Sequence, residues 1–252
     1  MSVKLTLVIL FLVYGAALSA VLSRAGHRDR IARGEGDAAV RPARILVVGA
    51  TGGTGRQLVS QALERGHEVT ALVRDPTRLP LKHPSLTVIR GDVLDPGVVE
   101  RAVRGHDAVV SALGHHRYYA ATSVLSSGTR NILRSMESHG VRRLVCETSL
   151  GIGDSAGRLG LFYTFFVIPA ILPVYFLDKA RQERLIARSR VEWVIVRPGV
   201  LTNGERRGRS RHGARVGGVF LSARISRADV AAFMLDQLGS DAYLGSAPGV
   251  CG

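Results

Sequence analysis

The chain has 252 residues, of which 46% are hydrophobic and 21% are charged, and this suits one ordinary domain with a sizeable core. The 34 Lys and Arg residues outnumber the 20 Asp and Glu residues, and the net charge of +14 fits a phosphorylated ligand, an anionic membrane surface, nucleic acid or simply a solvated basic surface. Cys146 and Cys251 form neither a CxxC pair nor a Cys/His pattern, so the sequence predicts no disulfide framework and no metal site.

An uncharged apolar run, residues 5–22, opens the chain. Its length is near the lower limit at which a helix crosses a hydrocarbon layer of about 30 Å. We therefore predict a transmembrane anchor or signal segment at 1–23, lying outside the fold, and a single domain at 44–252. Residues 24–43, with Gly and Pro breakers, are predicted to be a polar linker.

The charges beside the apolar run favour one orientation. Only Lys4 and the terminal amine precede the run, whereas four arginines follow it between residues 24 and 33. Because basic residues concentrate on the cytoplasmic side of a membrane, we expect a retained anchor with the domain on that side. Small residues near Ala17 and Ala20 would suit a signal peptidase, so export after cleavage is the alternative.

The first elements of the domain form a predicted βαβ unit. RILVV, residues 44–48, is a short apolar run after one arginine, as expected for a strand buried on both faces of a parallel sheet. Residues 54–65 have helical apolar spacing and precede Gly66, which would stop a helix. EVTALVR, residues 68–74, predicts the second strand.

The turn between the first strand and the helix predicts a dinucleotide site. Gly49, Gly52 and Gly55 give the spacing GxxGxxG, which lets amides at a helix N-terminus approach a pyrophosphate without an intervening Cβ. A glycine triplet alone is weak evidence, but here strand, helix and second strand follow in the right order. The predicted cofactor-binding residues of the turn are Gly49, Thr51, Gly52, Gly53, Thr54 and Gly55.

The end of the second strand distinguishes NADP from NAD. NAD sites place a carboxylate there for the ribose hydroxyl, whereas NADP sites use arginine. Arg74 follows the strand and Arg78 lies four residues later, so two guanidinium groups are available for one 2′-phosphate. Asp75 would either cap the Pro76 turn or favour NAD. The sequence favours NADP(H) over NAD(H).

Two further strands end in residues suited to the same sheet edge. LTVIRGDV repeats the order strand, glycine, acid, and places Asp92 and Val93 where ligands of open parallel sheets lie. Asp92 is a candidate acceptor for the adenine amino group. The fourth strand, DAVVSALG, ends in Ala112, Leu113 and Gly114, which would let a ribose lie against the backbone.

The fifth predicted strand ends at Ser149, and the sixth, EWVIVRPG, ends at the cofactor-binding candidate Pro198. Six strands separated by helix-length segments predict an α/β fold: a Rossmann-type, doubly wound parallel sheet in a single domain, preceded by the N-terminal apolar helix.

In this order, GATGGTG, VRDPTR, GDV, SALG, ETS, DKARQERLI and VRPG resemble the short-chain dehydrogenase/reductase superfamily. The resemblance is to its atypical NAD(P)H-binding branch, near the NmrA-like and the flavin/biliverdin reductase-like proteins, and covers residues 44 to about 245. It implies that Arg74 and Arg78 meet the 2′-phosphate of NADP(H) and that Ser149 lies beside the nicotinamide.

The catalytic set of better-known superfamily members is a serine with a YxxxK pair, in which tyrosine exchanges a proton with a carbonyl. YFLDK supplies Tyr175 and Lys179, four residues apart and on one face of a helix. The predicted catalytic residues are therefore Ser149, Tyr175 and Lys179. Many atypical relatives lack the tyrosine, so Tyr175 is alternatively an aromatic pocket wall. His115 and His116 are either lining residues or solvated loop residues.

A second apolar run, residues 159–177, would pass for a membrane span by hydropathy. It lies between the fifth strand and the lysine helix, and Pro169 and Pro173 would interrupt a continuous helix, so we reject a spanning helix. It is predicted to roof an apolar substrate pocket, to dip into the membrane or to be an ordinary buried crossover.

Seven arginines between residues 206 and 227 lie in a Gly-rich stretch that predicts a variable loop facing anionic lipid or an acidic substrate. Few aromatic residues on which bases could stack lie between these arginines, so no nucleic acid partner is expected. Ser226 is predicted to cap the last helix, with Arg227 and Asp229 in structural roles.

Two functions remain open. The first is an NAD(P)H-dependent reductase that passes hydride to a small lipophilic carbonyl, quinone or flavin-like acceptor. The second is a non-catalytic NADP-binding redox sensor or membrane-associated assembly factor of the NmrA-like type. The retained Ser, Tyr and Lys favour the enzyme; the sequence names no substrate and no oligomeric state.

Overall fold

The computed structural model describes residues 3–25, 43–114 and 123–252. His115 and His116 and most of the predicted linker lie outside these described residues.

The described chain alternates strands and helices as the sequence predicts. The strands are β1 Arg44–Val48, β2 Glu68–Val73, β3 Leu86–Arg90, β4 Ala108–Ser111, β5 Arg143–Glu147, β6 Glu192–Pro198, β7 Val200–Thr202, β8 Arg211–Gly213, β9 Arg224–Ser226 and β10 Gly249–Cys251. The α-helices are α1 Val3–Ala25, α2 Gly53–Glu64, α3 Pro96–Val103, α4 Val124–His139, α5 Ile168–Ile171, α6 Pro173–Ala187 and α7 Arg227–Asp236.

Eight of the described strands form one sheet in the order β3-β2-β1-β4-β5-β6-β10-β8. Every pair in it is parallel except β10 with β8, which is antiparallel. The Rossmann-type fold is confirmed, and the short strands β10 and β8 extend the six predicted strands. The order reverses between β1 and β4, and ligands of such sheets bind in the crevice at this point.

Alternate residues of β1 face two separate cores. Ile45 and Val47 are buried with the apolar faces of α2 and α7, whereas Leu46 and Val48 are buried with those of α3, α4 and α6. This pattern explains why RILVV is almost entirely apolar, since a strand with helices on both sides exposes neither face. The two helical layers fix the carboxyl edge of the sheet as the open edge.

The second apolar run is bent and belongs to the domain. A π-helical turn, Tyr163–Val167, continues into α5, and this unit meets α6 at an angle of 98°. Pro173 begins α6, where its missing amide costs nothing. The bend agrees with the rejection of one continuous spanning helix. Phe162 and Phe166 are nevertheless exposed.

Helix α1 packs against this domain, although we expected it to lie outside the fold. Leu18 and Leu22 are buried together with Leu150, Ile152 and other apolar residues of the domain. A Cβ added to Gly15 would lie 3.1 Å from Cδ1 of Phe165, so the two segments approach closely. Its stretch Lys4–Arg24 is long and apolar enough to cross a membrane. The sequence identified an apolar helix but did not indicate that one of its faces is buried by protein.

Candidate functional site

The glycine turn after β1 packs against neighbouring backbone without room for side chains. Gly49 has a φ of +82°, and a Cβ at this position would lie 2.4 Å from the carbonyl oxygen of Ala112. A Cβ on Gly55 would lie 2.0 Å from the carbonyl oxygen of Gly49. The turn therefore requires glycine at both positions and holds the end of β1 against the end of β4.

This turn presents the N-terminus of α2 to solvent. Gly52 is the N-cap residue and supplies no side-chain hydrogen bond, and both Gly52 and Gly53 are exposed. The first amides of a helix lack intrahelical partners and favour an anion. Thr51 is half-buried beside them, whereas the hydroxyl of Thr54 points inward and donates to Glu147 at 3.1 Å. Only the backbone of Thr54 is thus left for a ligand.

Arginines gather beyond β2. Arg74 and Arg78 are both exposed, and Nη2 of Arg56 in the first turn of α2 donates to the carbonyl oxygen of Arg78 at 3.0 Å. Asp75 turns away, since its carboxylate accepts from the amide and the hydroxyl of Thr77 at 3.1 and 2.7 Å. These hydrogen bonds hold the pKa of Asp75 below its usual value. The sequence left open whether Asp75 caps the Pro76 turn or favours NAD by binding a ribose hydroxyl. In the structure it caps the turn.

The ends of β3 and β4 line the same crevice. Asp92 is half-buried and accepts from the amide of Leu94 at 3.0 Å, while Val93 is buried. Leu113 is buried, and Ala112 and Gly114 are more open.

The end of β6 is more enclosed. Pro198 is buried beside β10 and accepts from the amide of Leu150 at 3.0 Å. The buried residues among the predicted cofactor-binding set are Thr54, Gly55, Val93, Leu113 and Pro198.

Tyr175 and Lys179 meet at the end of β4. Nζ of Lys179 lies 5.2 Å from the ring centroid of Tyr175. A Cβ added to Gly114 would lie 3.7 Å from the hydroxyl oxygen of Tyr175, so the phenol reaches the open crevice. Ser149, half-buried, follows β5 on the same carboxyl edge. The structure therefore brings the three predicted catalytic residues to one edge of the sheet.

Lys179 is buried and tied to the sheet. Its ammonium group donates to the carbonyl oxygen of Thr148 at 3.1 Å. Burial lowers its pKa, but Tyr175 and Glu147 act in the opposite direction, and the pKa of Lys179 is raised overall. A lysine with a raised pKa carries its positive charge at neutral pH.

Glu147 is a buried carboxyl group that the sequence analysis did not single out. Burial raises its pKa, although Lys179, the hydroxyl of Thr54 and Arg227 each favour the charged form. Through Thr54 it joins the end of β5 to the glycine turn. Its signal in the sequence was an acid directly after the apolar residues LVC of β5.

Helix α6 carries a stripe of buried polar residues that contact α4 and the sheet. Asp178 accepts from the amides of Leu125 and Ser126, and thereby caps α4. Glu183 accepts from Arg197 at 3.0 and 2.8 Å, and both side chains are buried. These contacts hold α6, and with it Tyr175 and Lys179, in a fixed position.

Arg227 lies over the glycine turn. A Cβ added to Gly53 would lie 2.4 Å from Cδ and 2.6 Å from Nε of Arg227, and Nη1 of this arginine donates to Asn203 at 2.6 Å. Its charge also favours the ionised form of Glu147. We expected only a structural role for Arg227, because nothing local in the sequence connects it to Gly53. The structural role expected for Asp229 is supported, since it accepts from the amides of Arg207 and Gly208 at 2.9 Å.

A family model described as NAD(P)H-binding matches residues 49–241 of this chain. The chain belongs to this NAD(P)H-binding family. The resemblance to the atypical short-chain dehydrogenase/reductases is confirmed.

Several curated proteins are similar to this family member over part of their length. An uncharacterised chloroplastic protein of Arabidopsis thaliana is 32% identical over 184 residues, which cover 69% of this chain and 65% of the relative. A 3-beta-hydroxysteroid dehydrogenase of Mycolicibacterium neoaurum is 36% identical over 42% of this chain and 32% of its own. A photosystem II assembly factor of Synechocystis is 34% identical over 40% of this chain and 32% of its own. The chain thus spans less than two thirds of these relatives.

Solved structures share the fold. A short-chain dehydrogenase/reductase from Veillonella parvula in complex with NADP has a TM-score of 0.70 and 21% identity, covering 83% of this chain and 94% of that one.

The site of this NAD(P)H-binding protein fits a dinucleotide. Gly52 and Gly53 carry no Cβ, the N-terminus of α2 has no side-chain cap, and Arg56 and Arg227 lie next to it. Gly52, Gly53 and the first amides of α2 would hold the pyrophosphate.

Proposed function

We propose that the protein is an NADPH-dependent reductase of a small lipophilic acceptor. The observation that carries this proposal is the Tyr175–Lys179 pair, whose phenol reaches the crevice beside Gly114. A purely structural tyrosine would have no need of a buried cation at the same edge as the dinucleotide turn. Ser149 at the end of β5 completes the set.

The preference for NADPH rests on charge. Arg74 and Arg78 are exposed beyond β2, where the 2′-phosphate of a bound dinucleotide would lie, and Arg56 reaches the same loop. Asp75, which would favour NAD, is occupied with Thr77. We further assign Arg227 to the pyrophosphate, because it lies over Gly53 at the N-terminus of α2.

When bound, NADPH supplies a hydride to an electrophilic carbon of the acceptor. The residues of this chain stabilise the negative charge that develops on the acceptor and supply the proton. The hydroxyl of Ser149 donates a hydrogen bond to the oxygen on which negative charge develops. Tyr175 then gives its proton to that oxygen, so a carbonyl becomes an alcohol. The positive charge of Lys179 stabilises the phenolate left on Tyr175, which water reprotonates.

The acceptor class is proposed from the surroundings of Ser149. Leu150 follows it directly, Ile152 lies two residues further on, and both are buried with apolar residues of α1 and α6. We infer from these apolar surroundings that the acceptor is a conjugated carbonyl, a quinone or a flavin-like ring. The similarity to a hydroxysteroid dehydrogenase supports a lipophilic substrate.

We also propose that α1 is retained and that the domain lies on the cytoplasmic side of a membrane. Cleavage near Ala20 would remove Leu18 from the core that it shares with Leu150. The buried face of α1 therefore supports retention over export.

The first test is a fluorescence titration of NADPH and NADH into the full chain in mild detergent. We expect NADPH to bind more tightly, and the Arg74→Ala, Arg78→Ala double variant to lose that preference while it still binds NADH. Equal binding of both dinucleotides by the unaltered chain would refute the 2′-phosphate assignment. Acceptors would then be screened by NADPH oxidation, with Tyr175→Phe as the inactive control.

A second candidate function is a non-catalytic NADP-binding assembly factor, favoured by the similarity to the photosystem II assembly factor. Both functions predict NADPH binding, but only the reductase predicts oxidation. Tight binding together with no turnover across quinones, flavins and aldehydes, and no effect of Tyr175→Phe, would favour the assembly factor.

A further inference from the structure

Three segments that carry exposed apolar residues are neighbours in the fold. The first segment is α1, whose residues Leu7 and Val13 are 62% and 59% exposed. Because Gly15, Leu18 and Leu22 pack on the domain, the exposed apolar part runs mainly from Leu5 to Tyr14. At 1.5 Å per residue this part measures about 15 Å, or about half of a 30 Å hydrocarbon layer.

The second segment continues this apolar surface onto the domain. The rings of Phe11 and Phe166 lie 5.8 Å apart, and those of Phe166 and Phe162 are stacked at 6.0 Å. Phe162 is 63% exposed and Phe166 is 49% exposed. A soluble domain seldom leaves two neighbouring phenylalanines open to water.

The third segment is a loop tip formed by Val219, Phe220 and Leu221. Phe220 and Leu221 are 80% and 82% exposed, which exceeds the exposure of Phe162. The loop lies beside the second segment, since a Cβ on Gly160 would be 3.1 Å from the carbonyl carbon of Leu221. An isolated parallel bridge between Leu159 and Gly218 fixes this neighbourhood.

Basic residues border the loop tip. Arg215 and Arg224 are exposed on either side of it, and Nη1 of Arg158 donates to the carbonyl oxygen of Ala214 at 2.8 Å. Residues 206–228 contain seven arginines and no acidic residue. At the surface of an anionic membrane, such an apolar tip would contact the acyl chains while the arginines beside it would contact the headgroups.

We propose that these three segments form one lipid face, defined by Val13, Phe162, Phe166, Phe220 and Leu221, that inserts into one leaflet of an anionic phospholipid bilayer. The domain itself is thus embedded, rather than suspended from a spanning anchor by a flexible linker. If α1 also crosses the layer, the domain surface packed on α1 enters the hydrocarbon with it.

The test measures the depth of the loop, because α1 alone would bring any variant to a membrane. A cysteine is introduced by Phe220→Cys and labelled with an environment-sensitive fluorophore; Cys146 and Cys251 are buried and do not compete. The full chain is reconstituted into vesicles of phosphatidylcholine and phosphatidylglycerol carrying a lipid-borne quencher in the acyl region. Leu244→Cys, a partly exposed residue outside the lipid face, is the matched control.

We expect the label at position 220 to shift to shorter wavelength and to lose most of its emission to the quencher, while the label at 244 does neither. The quenching should weaken when phosphatidylglycerol is omitted or when Arg215 and Arg224 are both replaced by glutamine. A label at 220 that remains in water would overturn the proposal. A blue-shifted label that the lipid quencher does not reach would also overturn it, since a protein partner or a second copy would then cover the loop. NADPH binding is measured separately and does not affect either outcome.

Discussion

Replacement of Arg227 by glutamine tests the assignment of this residue to the pyrophosphate. Its side chain lies over Gly53, at an uncapped helix N-terminus where an anion is favoured. A hydrogen bond to a charged group contributes about 1.5–3 kcal/mol. Since 1.4 kcal/mol corresponds to a factor of ten, Arg227→Gln should weaken NADPH binding by about 10- to 140-fold. Nicotinamide fluorescence titration of the full chain measures this directly.

Gly53→Ala gives an independent approach to the same contact. Its Cβ would lie 2.4 Å from Cδ of Arg227, so the flexible arginine has to move away. If displacement of Arg227 is the main effect, the double variant should bind NADPH no more weakly than Arg227→Gln alone. Gly97→Ala is the control, because its Cβ would approach no atom closer than 3.4 Å. Losses that simply multiply, or an Arg227→Gln affinity within twofold of the unaltered chain, would refute the reasoning.

Three further predictions concern Glu147, Glu183 and Tyr175. Burial raises the pKa of Glu147, so the folded chain holds this proton more firmly and loses stability as pH rises above the ordinary glutamate value of about 4.3. Glu147→Gln should therefore reduce the fall of the unfolding free energy, measured in urea, as pH rises from that value, and an unchanged slope would contradict this. Glu183→Met should cost about 3 kcal/mol in the same assay, because it removes the carboxylate that accepts two hydrogen bonds from buried Arg197 and leaves Asp154 to neutralise this charge. The double variant with Arg197→Met should recover part of the loss. Tyr175→Phe should lower kcat by about 10²- to 10⁴-fold with NADPH affinity unchanged, and a weakened affinity at normal kcat would instead make Tyr175 a wall of the pocket.

The features predictable from the sequence are those encoded within a single local unit. The glycine turn, the position of Arg74 after β2 and the Tyr175–Lys179 spacing each depend on a few consecutive residues with a known period. The cap formed by Ser226 is of the same kind, and its side chain accepts from the amide of Asp229. Such patterns can be recognised from neighbouring residues without knowledge of any tertiary contact.

The features that escaped prediction depend on contacts between distant parts of the chain. Thr54 and Glu147 are 93 positions apart and form a hydrogen bond only because β1 and β5 end at the same edge. The approach of Arg227 to Gly53 has the same origin. Likewise, hydropathy identified α1 but not which of its faces is covered, because apolar residues such as Leu18 suit lipid and protein equally well.

The polar stripe of α6 constrains how this protein can change over evolutionary time. Asp178 accepts a hydrogen bond from the first amide groups of α4, and Gln182 donates to Thr129 of α4 at 3.0 Å. Glu183 accepts from Arg197 of β6. Insertion or deletion of one residue between Asp178 and Gln182 would rotate the second half of the stripe by about 100° relative to the first, so the contacts of both halves could not be kept together. New substrate preferences are therefore expected to arise in the segments that flank α6, with its own register preserved.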